Sequence, residues 1–164
     1  IMRRERAMEL FLEGYNCSQS VFLTFVDYYD MDWETAARLS SSFGGGMGRL
    51  REVCGTVSGM FLAVGLIYGY DNPKDSKAKA EHYARIQELA KTFEERHGSI
   101  ICRELLGLSV KREDPTPQER TPEYYKKRPC KELAGDAAEI LEEYLKTHPI
   151  ERTKAPQKEE EVHG

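Results

Sequence analysis

The chain has 164 residues, 40% of them hydrophobic and 32% charged, with a formal net charge of −4. That length favours one domain whose core needs no covalent staples, which leaves its four cysteines free for other work. The acidic balance argues against nucleic acid as a partner. A membrane is excluded on length: the longest apolar run, 60–70, is broken by Gly65 and Gly69 and falls short of the ~20 residues that span a bilayer.

Helical periodicity dominates and predicts an all-α fold. Residues 3–13 place Met8, Phe11 and Leu12 on one face and stop at Gly14. Asn16 is an N-cap for a helix over 17–29, with Val21, Phe22, Phe25 and Val26 as its apolar stripe. Asp32 caps a third helix over 33–41. The run Gly44-Gly45-Gly46-Met47-Gly48 cannot be a stable helix interior. A fourth helix, 51–68, is apolar nearly all round and reads as the central, buried one. Along it Gly55, Gly59 and Ala63 recur every four residues, a smooth stripe for the close approach of another backbone.

A charged helix over 74–97 turns Tyr83, Ile86, Leu89, Ala90 and Phe93 inward and is closed by Gly98. Ser99 caps a short helix through 106. Residues 109–121 are Pro-rich and polar, hence loop, and Tyr124-Tyr125 sit on a short helical turn. Pro129 opens the last helix, which ends near Lys146. The expected architecture is a multi-helix up-and-down bundle with one central apolar helix. A single helical redox domain spans 2–147, and a charged, mobile tail spans 148–164. The basic start Met2-Arg3-Arg4-Glu5-Arg6 leads into no long apolar core or cleavage site, so a cytoplasmic location is expected. There, clustered cysteines more often bind metal or do redox work than form structural disulfides.

Cys17, Cys54, Cys102 and Cys130 all fall at or near predicted helix starts. Free N–H groups and the positive dipole end there favour thiolate over thiol. The cysteine-bearing segments alternate with returning ones, so in an up-and-down bundle the four thiols meet at one end. Arg49, Arg51, Arg103, Lys126, Lys127, Arg128 and Lys131 flank them and add to the stabilisation of negative sulfur. His97, at the end of the long helix, is a candidate ligand or proton donor, although complementing the helix C-terminus is its commoner role.

The glycine run lacks both the Gly-Lys-Ser/Thr ending and the dinucleotide spacing of nucleotide-binding loops, and it follows a helix rather than a strand. Close backbone approach is the better role. Gly45, Gly46, Gly48 and Gly55 are therefore candidates for lining a bound group, with N–H directed at sulfur. Ser58 with the histidines suggests hydrolysis only weakly, since nothing supplies a nucleophile elbow.

The strings Gly14-Tyr15-Asn16-Cys17-Ser18-Gln19-Ser20-Val21, Phe43-Gly44-Gly45-Gly46-Met47-Gly48 and Val53-Cys54-Gly55-Thr56-Val57-Ser58-Gly59, followed by lone Cys102 and Cys130, resemble the C_GCAxxG_C_C family. Its members are described as redox-active and are found largely in anaerobic bacteria and archaea. Here Val53 and Gly55 flank the second cysteine where the family pattern has Gly and Ala. The family is similar to the helical region of split-Soret cytochromes, whose four cysteines hold a two-iron iron–sulfur cluster. The Cys-x-x-Cys-His haem signature is absent here. The resemblance implies that Cys17, Cys54, Cys102 and Cys130 are cluster ligands.

Three functional readings follow. The first is an iron–sulfur electron carrier or sensor. The second is a metal-free thiol/disulfide oxidoreductase working through Cys17 and Cys54. The third is an interaction module held by structural zinc, although zinc sites usually pair cysteines two residues apart, a spacing absent here. The implied partner is a redox protein or a small-molecule electron donor or acceptor, and a homodimer is compatible with each reading.

Overall fold

The computed structural model describes residues 2–109 and 112–150. Among them the chain forms eight right-handed α-helices and no sheet, with one isolated antiparallel bridge between Val53 and Ile101. The helices are α1 (Arg3–Leu12), α2 (Cys17–Thr24), α3 (Trp33–Ser40), α4 (Gly55–Tyr68), α5 (Ser76–His97), α6 (Cys102–Leu105), α7 (Pro122–Lys127) and α8 (Cys130–Thr147). No helix among the described residues is long and apolar enough to cross a membrane.

Caps legible in the sequence start several of these helices. Asn16 and Gln19 form a reciprocal capping box at α2: the Gln19 N–H donates to Asn16 Oδ1 at 2.9 Å, and the Asn16 N–H donates to Gln19 Oε1 at 3.0 Å. Asp32 caps α3, Asp75 caps α5 and Thr121 caps α7. Gly98 closes α5 at φ 84°, the left-handed C-terminal position that favours glycine. Pro129 stands at the N-cap of α8, one position before the helix proper.

The helix expected over 17–29 is shorter. It ends at Thr24, and Phe25 turns the chain into a 3₁₀ turn, Val26–Tyr28. That turn brings Tyr29 back over the helix, its ring stacked on Phe22 at 4.6 Å and its hydroxyl donating to the Phe22 carbonyl. In return α2 is enclosed on several sides, packing against α1, α3, α4 and α8, and every residue from Ser20 to Thr24 is buried.

The apolar helix expected at the centre starts at Gly55 rather than 51, because residues 52–54 pair with 100–102 in extended conformation. It is not enclosed all round: Gly55 to Met60, Ala63 and Val64 are buried, but Gly65 and Leu66 are exposed. Its small-residue stripe faces α2. A Cβ at Gly59 would come within 2.5 Å of the Ser18 carbonyl oxygen, so the two backbones touch there. On α5, Leu89 and Phe93 are buried as expected, whereas Tyr83 points to solvent beside Tyr70. Phe22, Phe25, Leu10, Met60, Phe93 and Leu141 form the centre of the core. The expected charged tail falls mostly on 151–164, outside the described residues; at its start His148 stacks on Tyr144.

Candidate functional site

Each cysteine sits at a helix start. Cys17, Cys102 and Cys130 are the first residues of α2, α6 and α8, and Cys54 is the N-cap of α4. Two of these starts are tied together by backbone: the Cys54 N–H donates to the Ile100 carbonyl at 2.7 Å, and the Cys102 N–H donates to the Glu52 carbonyl at 2.6 Å. All four cysteines are free thiols and line one cavity of about 370 Å³, together with Gly45, Gly48, Gly55, Thr56 and Tyr124.

The glycine run forms a wall of this cavity by turning left-handed. Gly45, Gly46, Met47, Gly48 and Arg49 have φ between 60° and 70°, and Arg51 has φ 58°. A left-handed turn costs an L-residue roughly 1–2 kcal/mol per position and glycine almost nothing, which accounts for the three glycines. Met47, Arg49 and Arg51 carry the cost, of the kind that concentrates at functional sites. The turn directs the Gly45 N–H at the Cys17 sulfur. Gly46 is placed differently from its expected lining role: it packs behind the cavity wall, where a Cβ would meet Cys102 Cβ at 2.6 Å. Gly55 faces Cys17 directly.

Burial dominates the charge state of the thiols. It pushes the Cys17 thiol up, against the lowering by the Gly45 and Ser18 N–H groups. Burial, followed by repulsion from Cys17, pushes the Cys54 thiol up to about 12, although Thr56 Oγ1 lies 3.1 Å from its sulfur. Burial, then Cys17 and Cys102, push Cys130 up to about 12 against Arg128 and Arg51. The expectation that helix starts and cations favour thiolate is thus overridden at these three residues. Desolvation and mutual repulsion exceed the dipole and the guanidinium charges.

Of the flanking cations, Arg49, Arg51 and Arg128 line the cavity. Arg51 Nη1 donates to Cys102 Sγ at 3.5 Å and its Nε to Glu113 Oε1 at 2.7 Å. Arg103 instead bonds Glu52 and the Arg51 carbonyl, Lys131 pairs with Glu132, and Lys126 and Lys127 are exposed. His97 lies outside the cavity lining; its Nε2 is 2.9 Å from Asp136 Oδ2 but not aligned for a hydrogen bond.

Within the segment read as a polar loop, residues 115–120 form a strap along the cavity. Pro115, Pro117, Gln118 and Arg120 line the cavity. Arg120 is a lining residue that the sequence analysis did not single out. It donates to the Phe11 and Tyr15 carbonyls and lies over the Phe11 ring at 4.0 Å, pinning the strap to the end of α1. The available signal was length, since loops longer than about 12–15 residues inside a compact domain are uncommon and are usually either functional or linker segments.

Among the described residues, no three His, Cys, Asp or Glu side chains are arranged to hold one metal ion. No curated protein and no solved structure matches the chain. A family model does: "Putative redox-active protein (C_GCAxxG_C_C)" matches residues 15–144, a span containing all four cysteines, so the chain belongs to that family.

Proposed function

We propose that the four cysteines together bind an iron–sulfur cluster and that the protein works as an electron carrier or redox sensor. The observation carrying this reading is the convergence of four free thiols on one cavity, Cys54 and Cys102 buried and Cys17 and Cys130 half-buried; desolvation and, in part, one another make three of them hard to ionise. Such a set is poorly disposed to act alone. Cationic iron would compensate it, because metal binding takes thiolates and displaces their protons.

The donor set fits the group. Four thiolates are the usual ligands of two-iron and four-iron clusters, and N–H and guanidinium donors stand beside the sulfurs. Structural zinc is the alternative that would take the same four thiolates. Thiol–disulfide exchange through Cys17 and Cys54 is the other alternative; it would leave Cys102 and Cys130 without a role, although they line the same cavity. When bound, the cluster supplies one-electron transfer. The chain's residues would hold it by four thiolates and direct positive charge at it from Arg51. A redox protein or a small molecule is the partner.

The test is metal content after anaerobic purification. Iron with acid-labile sulfide supports the cluster. Zinc alone supports a structural site, and metal-free protein with reactive thiols supports the dithiol alternative.

A further inference from the structure

We propose that Arg51 is a positioning residue that raises the electron affinity of the group held at Cys102, and that Glu113 moderates it; this rests on the cluster reading above. Arg51 is only 5% exposed in a protein whose other arginines mostly reach solvent. Buried arginine is rare unless paired, and here the pairing is divided. One arm of the guanidinium reaches the Cys102 sulfur at 3.5 Å, and Nε reaches Glu113 Oε1 at 2.7 Å.

The backbone fixes this division. Arg51 is held at φ 58°, an uncommon conformation for a residue with a side chain. Its N–H donates to the Gly45 carbonyl at 3.4 Å, and its carbonyl accepts from the Arg103 N–H at 3.3 Å. Gly46 fits against its α-carbon, where a Cβ would approach to 2.9 Å. Glu113 is held in turn: its N–H donates to the Arg49 carbonyl at 3.0 Å, and its carboxylate takes Arg49 Nη2 at 3.3 Å. The glycine turn and the strap therefore meet at one guanidinium. Its charge acts on Cys130 as well as on Cys102.

Reduction adds negative charge to a sulfur-ligated group. A cationic donor on a ligand sulfur stabilises the reduced form, and a carboxylate behind that donor partly cancels the effect. The two residues should therefore act in opposite directions. A purely structural ion pair would not produce this, because breaking it from either side would disturb the site alike.

The experiment is an anaerobic spectroelectrochemical titration of reconstituted wild type, Arg51→Gln, Arg51→Lys and Glu113→Gln, with iron and sulfide per chain measured on each sample. In Arg51→Gln the reduced-to-oxidised ratio at fixed potential should fall about tenfold, equivalent to 59 mV for a one-electron couple. Arg51→Lys, which keeps the charge without the forked donor, should fall less. Glu113→Gln should move the ratio the other way. If Arg51→Gln fails to load iron, Arg51→Lys and Glu113→Gln carry the test. Unchanged potentials in fully loaded variants, or shifts of the same sign in the Arg51 and Glu113 variants, overturn this inference alone. Wild type that takes up no iron overturns the cluster reading and the inference with it.

Discussion

Gly55 and Cys17 touch: a methyl group on Gly55 would overlap the Cys17 sulfur and stand 2.7 Å from the Phe43 carbonyl oxygen. The first turn of α4 thereby fixes the position of a thiol on α2. Gly55→Ala should lower stability by about 1–3 kcal/mol through overpacking and weaken iron retention at Cys17. Denaturant midpoints and iron content of the variant check this; wild-type values for both would contradict the packing.

Two glycines on the same helix should respond oppositely to alanine. Gly59 faces the Ser18 carbonyl oxygen, a backbone atom that cannot move aside, so Gly59→Ala should destabilise by about 1–3 kcal/mol. Gly65 is exposed and has open space around its Cβ position, so Gly65→Ala should stabilise by roughly 0.5–1 kcal/mol through backbone entropy. Thermal melts of both variants decide the matter; shifts of the same sign would place α4 wrongly.

These packing contacts were legible because they rest on local signals. The Asn16–Gln19 capping box fixes Cys17 at a helix start, and the four-residue glycine spacing marks the face that meets α2. What the sequence hid depends on long-range pairing. The bridge between Val53 and Ile101 delays the start of α4 and sets Cys54 beside Cys102, and no local pattern announces it. The left-handed geometry at Met47, Arg49 and Arg51 is likewise imposed from outside, since only the neighbouring glycines suggest it. The strap read as solvated because Pro and charge dominate it, yet the Arg120 contacts to Phe11 and Tyr15 lie more than a hundred residues away in sequence. Helix starts correctly suggested where the thiols lie but not their ionisation, because burial is a property of the whole fold.

Alkaline pH should destabilise the metal-free protein. The thiols of Cys54 and Cys130 are raised from 9.0 to about 12 in the folded state. Below pH 9 they are protonated whether the chain is folded or not, and their contribution is fully present. Between pH 9 and about 12 the unfolded chain releases these protons first, so stability falls, by up to about 1.4 kcal/mol per pH unit for each thiol. Urea denaturation across pH 8–11 should show this decline, reduced in Cys54→Ala. A flat profile would mean that the thiols ionise normally in the fold.

Removing the strap's anchor should loosen this part of the cavity lining. Arg120→Ala leaves the Phe11 and Tyr15 carbonyls without this donor and removes the cation from the Phe11 ring, a loss of about 1–3 kcal/mol. Hydrogen exchange should quicken in 113–121 while α2 and α8 stay protected. Unchanged exchange in that segment would show that Arg120 does not hold it.

The most direct test of the central claim is iron and sulfide per chain in wild type and in Cys17→Ser, Cys54→Ser, Cys102→Ser and Cys130→Ser, each reconstituted anaerobically. If the four thiols that line the cavity are ligands of one cluster, wild type retains iron and sulfide and every single variant loses most of both. Wild type that takes up no iron, or a loss confined to two of the four variants, would contradict the account.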